Sequence, residues 1–256
     1  MEVQVINFLL IFNRIFGFFV ITPIFGRREF PFQARLGLSA LVALIIYPVV
    51  DKIVVPNILW ETVILFVREA ALGFLMGFVT FVIFSAVYVC GEIIDLEMGF
   101  GIVSVLDPQS NTQVPMLGNF FYILTILVFL TINGHHILLS ALIESYNVLP
   151  LGGEAILLNH SWIHGILESF LRMFEAGIKM SIPVVSATFL ADFALGIIAR
   201  TVPQMNVFIV GLPFKVVVGV IFLILALPMY LITLDVLFNG SYEIIESILQ
   251  GMLNKP

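Results

Sequence analysis

Two adjacent histidines, His135 and His136, follow Asn133-Gly134, and Glu144 lies downstream. These residue types hold zinc or relay protons, but their spacing does not close a site. On an unbroken helix His136 and Glu144 stand about two turns apart, too far for one compact metal centre without other ligands. The His-Glu-x-x-His order of zinc proteases is absent. His160 and His164 form an i, i+4 pair, again with no third ligand in view. Helix-end histidines satisfied by backbone are the simpler account, and neither a metal nor a cofactor is expected. An intramembrane enzyme on His135, His136 and Glu144 is the weakest of the functional alternatives.

Acids within apolar sequence often mark ion routes. Glu92, Asp95 and Glu97 cluster at the end of one apolar segment, where water is near, and Asp192 lies inside another. The uncharged runs Ala70–Gly91 and Met116–Ile143 contain no acid, which argues against an ion-coupled transporter of small solutes. Cys90 is the single cysteine; it can form no internal disulfide or thiolate cage and reads as a small buried hydrophobe. Gly99 and Gly101, near Ser104, suggest a hinge or a close backbone approach. No complete Gly-x-Gly-x-x-Gly, Walker loop or nucleophile elbow is present.

The elements that would position these residues are apolar throughout. Of 256 residues 61% are hydrophobic and 11% charged, with 25 phenylalanines and a mean hydropathy of +1.14. A soluble domain carries about 25% charged residues, so this chain cannot cover a core with water-compatible surface. Net charge is −6 and no basic block tracks phosphates, so nucleic acid is not an expected partner. The start, Met1-Glu2-Val3-Gln4, has neither a basic n-region nor a small-residue cleavage site, and the first apolar segment is expected to stay in the mature protein.

A spanning helix needs roughly 20 apolar residues. Ala70–Gly91, Met116–Ile143 and Val216–Leu234 qualify without charge. Val3–Phe25 holds Asn7, Asn13 and Arg14, Leu36–Val50 is short, and Glu175–Ile198 holds Lys179, Pro183 and Asp192. Such polar residues must face protein or water. Pro183, Pro203, Pro213 and Pro228 are expected to interrupt the C-terminal helices. The resulting fold class is all-α: an integral membrane protein of several long, partly broken apolar helices packed against other subunits. The chain reads as a single domain, 1–256. The positive cluster Arg27, Arg28 and Arg35 would lie in the cytoplasm by the positive-inside rule. Residues 236–253 read as an amphipathic helix with Phe238, Tyr242, Ile245, Leu249 and Met252 on one side and Glu243, Glu246 and Gln250 on the other. Its acidic face favours a partner helix over an anionic membrane surface.

Between two apolar segments lies a polar stretch bounded by Asp107-Pro108 and Pro115-Met116, preceded by Ile102, Val103, Val105 and Leu106. It reads either as an ordinary extramembrane turn or as irregular backbone lining a cavity, with the apolar flank forming a seal.

The run from Gly91-Glu92 through Glu97-Met98-Gly99 to Asp107-Pro108 resembles the FliR/SctT family of type III protein-export subunits. So do Asn133-Gly134-His135, Ser145 to Pro150 before Gly152, Gly196 through Arg200, Pro203-Gln204-Met205-Asn206 and Pro213. Arg14, Gly17, Pro23, Pro31 and Arg35 fit near the start. The resemblance runs in order from about residue 10 to 230. It implies a non-enzymatic subunit of an export gate with FliP-like and FliQ-like membrane subunits, next to FlhB-like and FlhA-like proteins. The gate would sit in the bacterial inner membrane at the flagellar basal body and pass unfolded flagellar subunits. The alternative inside the family is a virulence-type subunit. The resemblance also places a plug over roughly 102–117, with Ile102, Val103, Val105, Leu106, Asp107, Pro108, Pro115 and Met116. Gly91, Glu92, Glu97, Met98, Gly99, Arg200, Pro203 and Asn206 are then packing or loop-motif residues.

Overall fold

The computed structural model describes residues 2–26, 30–56, 58–100, 115–153, 161–202, 204 and 206–253. Every regular element among them is an α-helix: α1 Glu2–Ile21, α2 Phe32–Ile46, α3 Leu59–Met98, α4 Met116–Thr131, α5 Gly134–Val148, α6 Ser161–Thr201 and α7 Val207–Leu253. Helices satisfy their own backbone groups, which is what apolar surroundings demand. Four are long and apolar enough to cross a membrane, with α4 and α5 a candidate fifth span in two pieces. The chain is an all-α membrane protein, as its composition requires.

The helices differ from the uncharged runs in three instructive ways. α3 has 40 residues and extends well beyond Ala70–Gly91, taking in Glu61, Arg68 and Glu69. At about 1.5 Å per residue it measures about 60 Å, twice the hydrocarbon thickness. Met116–Ile143 is not one continuous helix. The helix stops at Thr131 and resumes at Gly134, with Asn133 left-handed at φ 58° and ψ 29°; asparagine is one of the few residues that reach that conformation cheaply. Conversely Pro183 lies inside α6, and Pro213 and Pro228 lie inside α7. These prolines do not end their helices; an interior proline loses a bond and crowds the preceding turn, a cost that membrane helices tolerate where neighbouring side chains and local backbone adjustment re-satisfy the freed groups. Pro203 lies outside the described residues, as do Arg27, Arg28 and His160.

Two compact units emerge. The first draws on Met1–Phe84, Asn133–Leu171 and Phe238–Pro256, the second on Ser85–Ile132 and Arg172–Leu237. In the first, α1 and α3 cross with almost no space between backbones. A Cβ on Gly73 would strike the Arg14 carbonyl, one on Gly17 would lie 2.9 Å from the Ala70 carbonyl oxygen, and one on Gly77 2.8 Å from that of Phe18. Gly73-x-x-x-Gly77 is thus a true close-packing seam.

That crossing carries Arg14 into the core, where it is 0% exposed. Its Nε donates to Glu69 Oε2 at 2.6 Å, Nη1 to the Ser145 carbonyl and Oγ at 3.1 Å each, and Nη2 to the Leu149 carbonyl at 3.0 Å. The guanidinium lies 4.2 Å from the Tyr146 ring centroid. Asn7 holds the extended backbone of Ile53 from both sides at 3.1 Å, and Asn13 Nδ2 donates to the Phe66 carbonyl at 2.6 Å. Asn7, Asn13 and Arg14 thus all face protein.

Residues 236–253 are the end of α7 rather than a separate helix. Phe238, Ile245, Leu249 and Met252 are buried and Glu243 and Gln250 exposed. The cover of the buried side is intramolecular: the Phe238 ring is 4.8 Å from Phe84, and a Cβ on Gly165 would run into Ile248.

Candidate functional site

The stretch that carries the sequence resemblance leaves α3 and returns at α4, and both ends belong to the second unit. Helical spacing decides what they bury. Gly91, Ile94, Asp95 and Met98 repeat at i, i+3, i+4 and i+7, the period of one helix face, and all four are buried. Glu92 and Leu96 are exposed and Glu97 is half-buried.

Gly91 meets α4 directly: a Cβ there would collide with the Cα of Gly118. One helical turn on, the Asp95 carboxylate is only 5% exposed and accepts the Leu117 N–H through both oxygens, at 3.2 and 3.1 Å. Leu117 is in the first turn of α4, whose N–H groups have no partners within the helix. Pro115 caps that helix with no side-chain bond of its own, so Asp95 supplies the acceptor from outside. An anion at a helix N-terminus is also favoured by the macrodipole. The rings of Tyr88 and Tyr122 stack at 5.0 Å, and the Met98 side chain covers Gly219 of α7, leaving no room for a Cβ, which would lie 2.6 Å from its terminal methyl.

α3 ends by a defined mechanism. Gly99 has φ 86°, its N–H donates to the Leu96 carbonyl at 3.2 Å, and the Phe100 N–H donates to the Asp95 carbonyl at 3.0 Å. This pair of bonds is the Schellman arrangement, which needs a left-handed residue just past the helix and favours glycine there. Gly99 is therefore a stop with a fixed exit direction.

Of the residues singled out by sequence, Gly91, Met98, Gly99, Pro115 and Met116 converge on this junction, with Met116 exposed. Glu92 and Glu97 flank it without entering its core. Ile102, Val103, Val105, Leu106, Asp107 and Pro108 lie outside the described residues. Arg200 and Asn206 sit at the α6–α7 connection: Arg200 is exposed in the last turn of α6, and the Asn206 carbonyl accepts the N–H groups of Ile209 and Val210 at 3.1 and 3.3 Å to start α7. The resemblance picks out neither Asp95, which the sequence marks only as one of three clustered acids, nor Gly118. The i, i+4 relation of Asp95 to Gly91 is the signal that finds the first; nothing local marks the second.

Most of the remaining chemical candidates have ordinary partners, but His135 Nδ1 is buried without a hydrogen-bond partner among the described residues, so backbone does not satisfy it as expected. Asp192 pairs with Lys215 at 2.6 Å, and Glu175 with Lys179 at 2.6 Å. Glu144 accepts from Asn147 at 3.0 Å. The His135 and His136 rings lie 4.3 Å apart. Tyr230, unremarked in the sequence, bonds the Thr125 hydroxyl at 2.7 Å and donates to the Phe121 carbonyl at 3.2 Å inside the second unit.

α6 and α7 bury little within the chain. In their most apolar stretches 28% and 17% of residues are buried, against 61% in α3. Phe189, Leu190 and Phe193 on α6 and Ile209, Leu225 and Ile232 on α7 stand exposed.

Comparison with known proteins follows the same line. The family profile of bacterial export proteins, family 1, matches residues 5–241. The chain is 37% identical to the flagellar biosynthetic protein FliR of Bacillus subtilis over 94% of each chain. It is 29% identical to the protein of that name from Escherichia coli, over 93% of this chain and 91% of the other. It is 28% identical to the Yop proteins translocation protein T of Yersinia pestis, over 86% of this chain and 85% of that one.

Proposed function

The chain belongs to the bacterial export proteins, family 1, and from that premise we propose that it is a pore-forming subunit of a flagellar type III export gate. The coarser statement, a membrane component of type III protein export, follows from the family and from its relatives among flagellar and Yop translocation proteins. The finer reading adds partners and a path. FliP-like and FliQ-like membrane subunits cover its bare helices, FlhB-like and FlhA-like proteins adjoin, and unfolded flagellar subunits pass through. The setting is the bacterial inner membrane, at the flagellar basal body. In this reading residues 102–117 occupy the aperture, with Ile102, Val103, Val105 and Leu106 as its apolar seal, and the driving energy is supplied elsewhere.

One observation carries this reading: α6 and α7, with 41 and 47 residues, are about twice as long as a bilayer crossing requires, and their most apolar stretches bury little in their own chain. Helices of that length with apolar faces on both sides fit a protein assembly better than a lipid-bathed bundle. The flagellar setting is favoured over a virulence-type one by the higher identity to the flagellar protein of Bacillus subtilis. A small-solute transporter is disfavoured because Asp192, the acid it would use for coupling, is already paired with Lys215.

Two measurements test the proposal. The chain expressed with its neighbouring export proteins should co-purify with two other small helical membrane subunits; recovery as a lone monomer refutes it. Val105→Gly combined with Leu106→Gly should make the assembled gate leak small ions or alter export, and wild-type conductance with wild-type secretion removes the plug.

A further inference from the structure

Asp95 occupies a position its own helix does not favour. It is in the last turn of α3, where the macrodipole is negative and an anion is repelled. It is also buried, and a carboxylate out of water is costly unless hydrogen-bonded. Among the described residues its partners are not cations but backbone N–H groups at the start of α4, those of Leu117 and Gly118. The α4 N-terminus, positive by the same dipole, offsets what α3 imposes.

Three further features make the junction stiff. The Gly91–Gly118 crossing leaves no room for a Cβ on Gly91. The Schellman stop at Gly99 fixes where the chain leaves α3. Tyr88 and Tyr122 stack across the same two helices.

We propose that Asp95 is a positioning residue of the export gate: its carboxylate, seated on the Leu117 N–H, pins α4 to the last turns of α3, so that these two helix ends stay joined while a substrate passes. The inference rests on the reading of residues 102–117 as the aperture segment. It adds that α3 and α4 do not separate at their junction during export, and that a buried carboxylate is what prevents it.

The test uses the full chain in its assembled gate. Asp95→Ala removes the acceptor of two N–H groups and should raise ion conductance in planar bilayers by at least about tenfold, the population shift of a single charge-assisted hydrogen bond. Subunit composition on size exclusion should be unchanged. Asp95→Asn keeps one carbonyl oxygen and should leak less than Asp95→Ala. Spin labels at the exposed positions Leu96 and Asn119, in a Cys90→Ala background, should give a narrow distance distribution in wild type and a broad one with Asp95→Ala.

If Val105→Gly/Leu106→Gly leaks while Asp95→Ala is as tight as wild type with an unchanged distance distribution, the pin is refuted and the aperture reading stands. If both are tight, the aperture reading falls and the inference falls with it. Should Asp95→Ala fail to assemble, Asp95→Asn decides: conductance above wild type supports the pin, and wild-type conductance overturns it.

Discussion

Replacing Arg14 with methionine tests whether the first unit is held by its buried ion pair. Arg14 and Glu69 are 0% and 1% exposed and meet at 2.6 Å. Removing the cation strands Glu69 as an unpaired buried charge, which costs about 3–5 kcal/mol. Its second oxygen, Oε1, already lacks a hydrogen-bond partner among the described residues, so little is at hand to soften that cost. Arg14 also serves two backbone carbonyls. That of Ser145 still accepts the Leu149 N–H at 2.9 Å, and Ser145 Oγ still donates to Leu142. The Leu149 carbonyl loses its one observed donor, adding about 1–3 kcal/mol if it stays buried. Arg14→Met should therefore cost about 4–8 kcal/mol, comparable to the whole stability of a typical domain. Arg14→Met with Glu69→Met removes the stranded charge and should recover most of this, because a buried pair replaced by well-packed apolar side chains is often neutral. The assay is thermal unfolding of the purified chain in detergent for wild type, both single variants and the double variant. A double variant as unstable as the sum of the singles would refute the coupling. An Arg14→Met variant within about 1 kcal/mol of wild type would refute the burial argument outright.

The glycines give a sharper contrast in the same assay. Gly73→Ala forces α1 and α3 apart at the Arg14 carbonyl and should destabilise by about 1–3 kcal/mol. Gly37→Ala in α2 meets open space and should stabilise by about 0.5–1 kcal/mol through helix propensity. Gly99→Ala places a Cβ at φ 86° and should cost about 1–2 kcal/mol, read as fraying of the last turn of α3 by hydrogen exchange. Asp192→Asn breaks a half-exposed pair worth no more than about 1 kcal/mol and should leave export unchanged; loss of export in a stable variant would revive a coupling role for that acid.

What the sequence revealed and what it hid divide along one physical line. Composition settled the class, because charge scarcity acts on the whole chain at once. The need for Arg14 to face protein was equally readable, since lipid offers a cation no partner. Helix ends were not readable from hydropathy, because at those ends other protein replaces lipid and polar residues become tolerable. Glu69 shows this most clearly. Its charge bounds the uncharged run that begins at Ala70, yet it lies inside α3, where Arg14 meets it. The breaks failed for a related reason. Pro183, Pro213 and Pro228 look like interruptions and are not, whereas Asn133-Gly134 is a recognised turn pair and does break the helix. At the junction, residue type marks Glu92, Asp95 and Glu97 alike and the resemblance picks out Glu92 and Glu97, yet the one that bonds α4 is Asp95. Charge alone cannot rank three acids in six residues, but helical phase can, by setting Asp95 over Gly91 and turning Glu92 away. In a helical membrane chain the position of an acid relative to its glycines therefore says more about its role than its presence does.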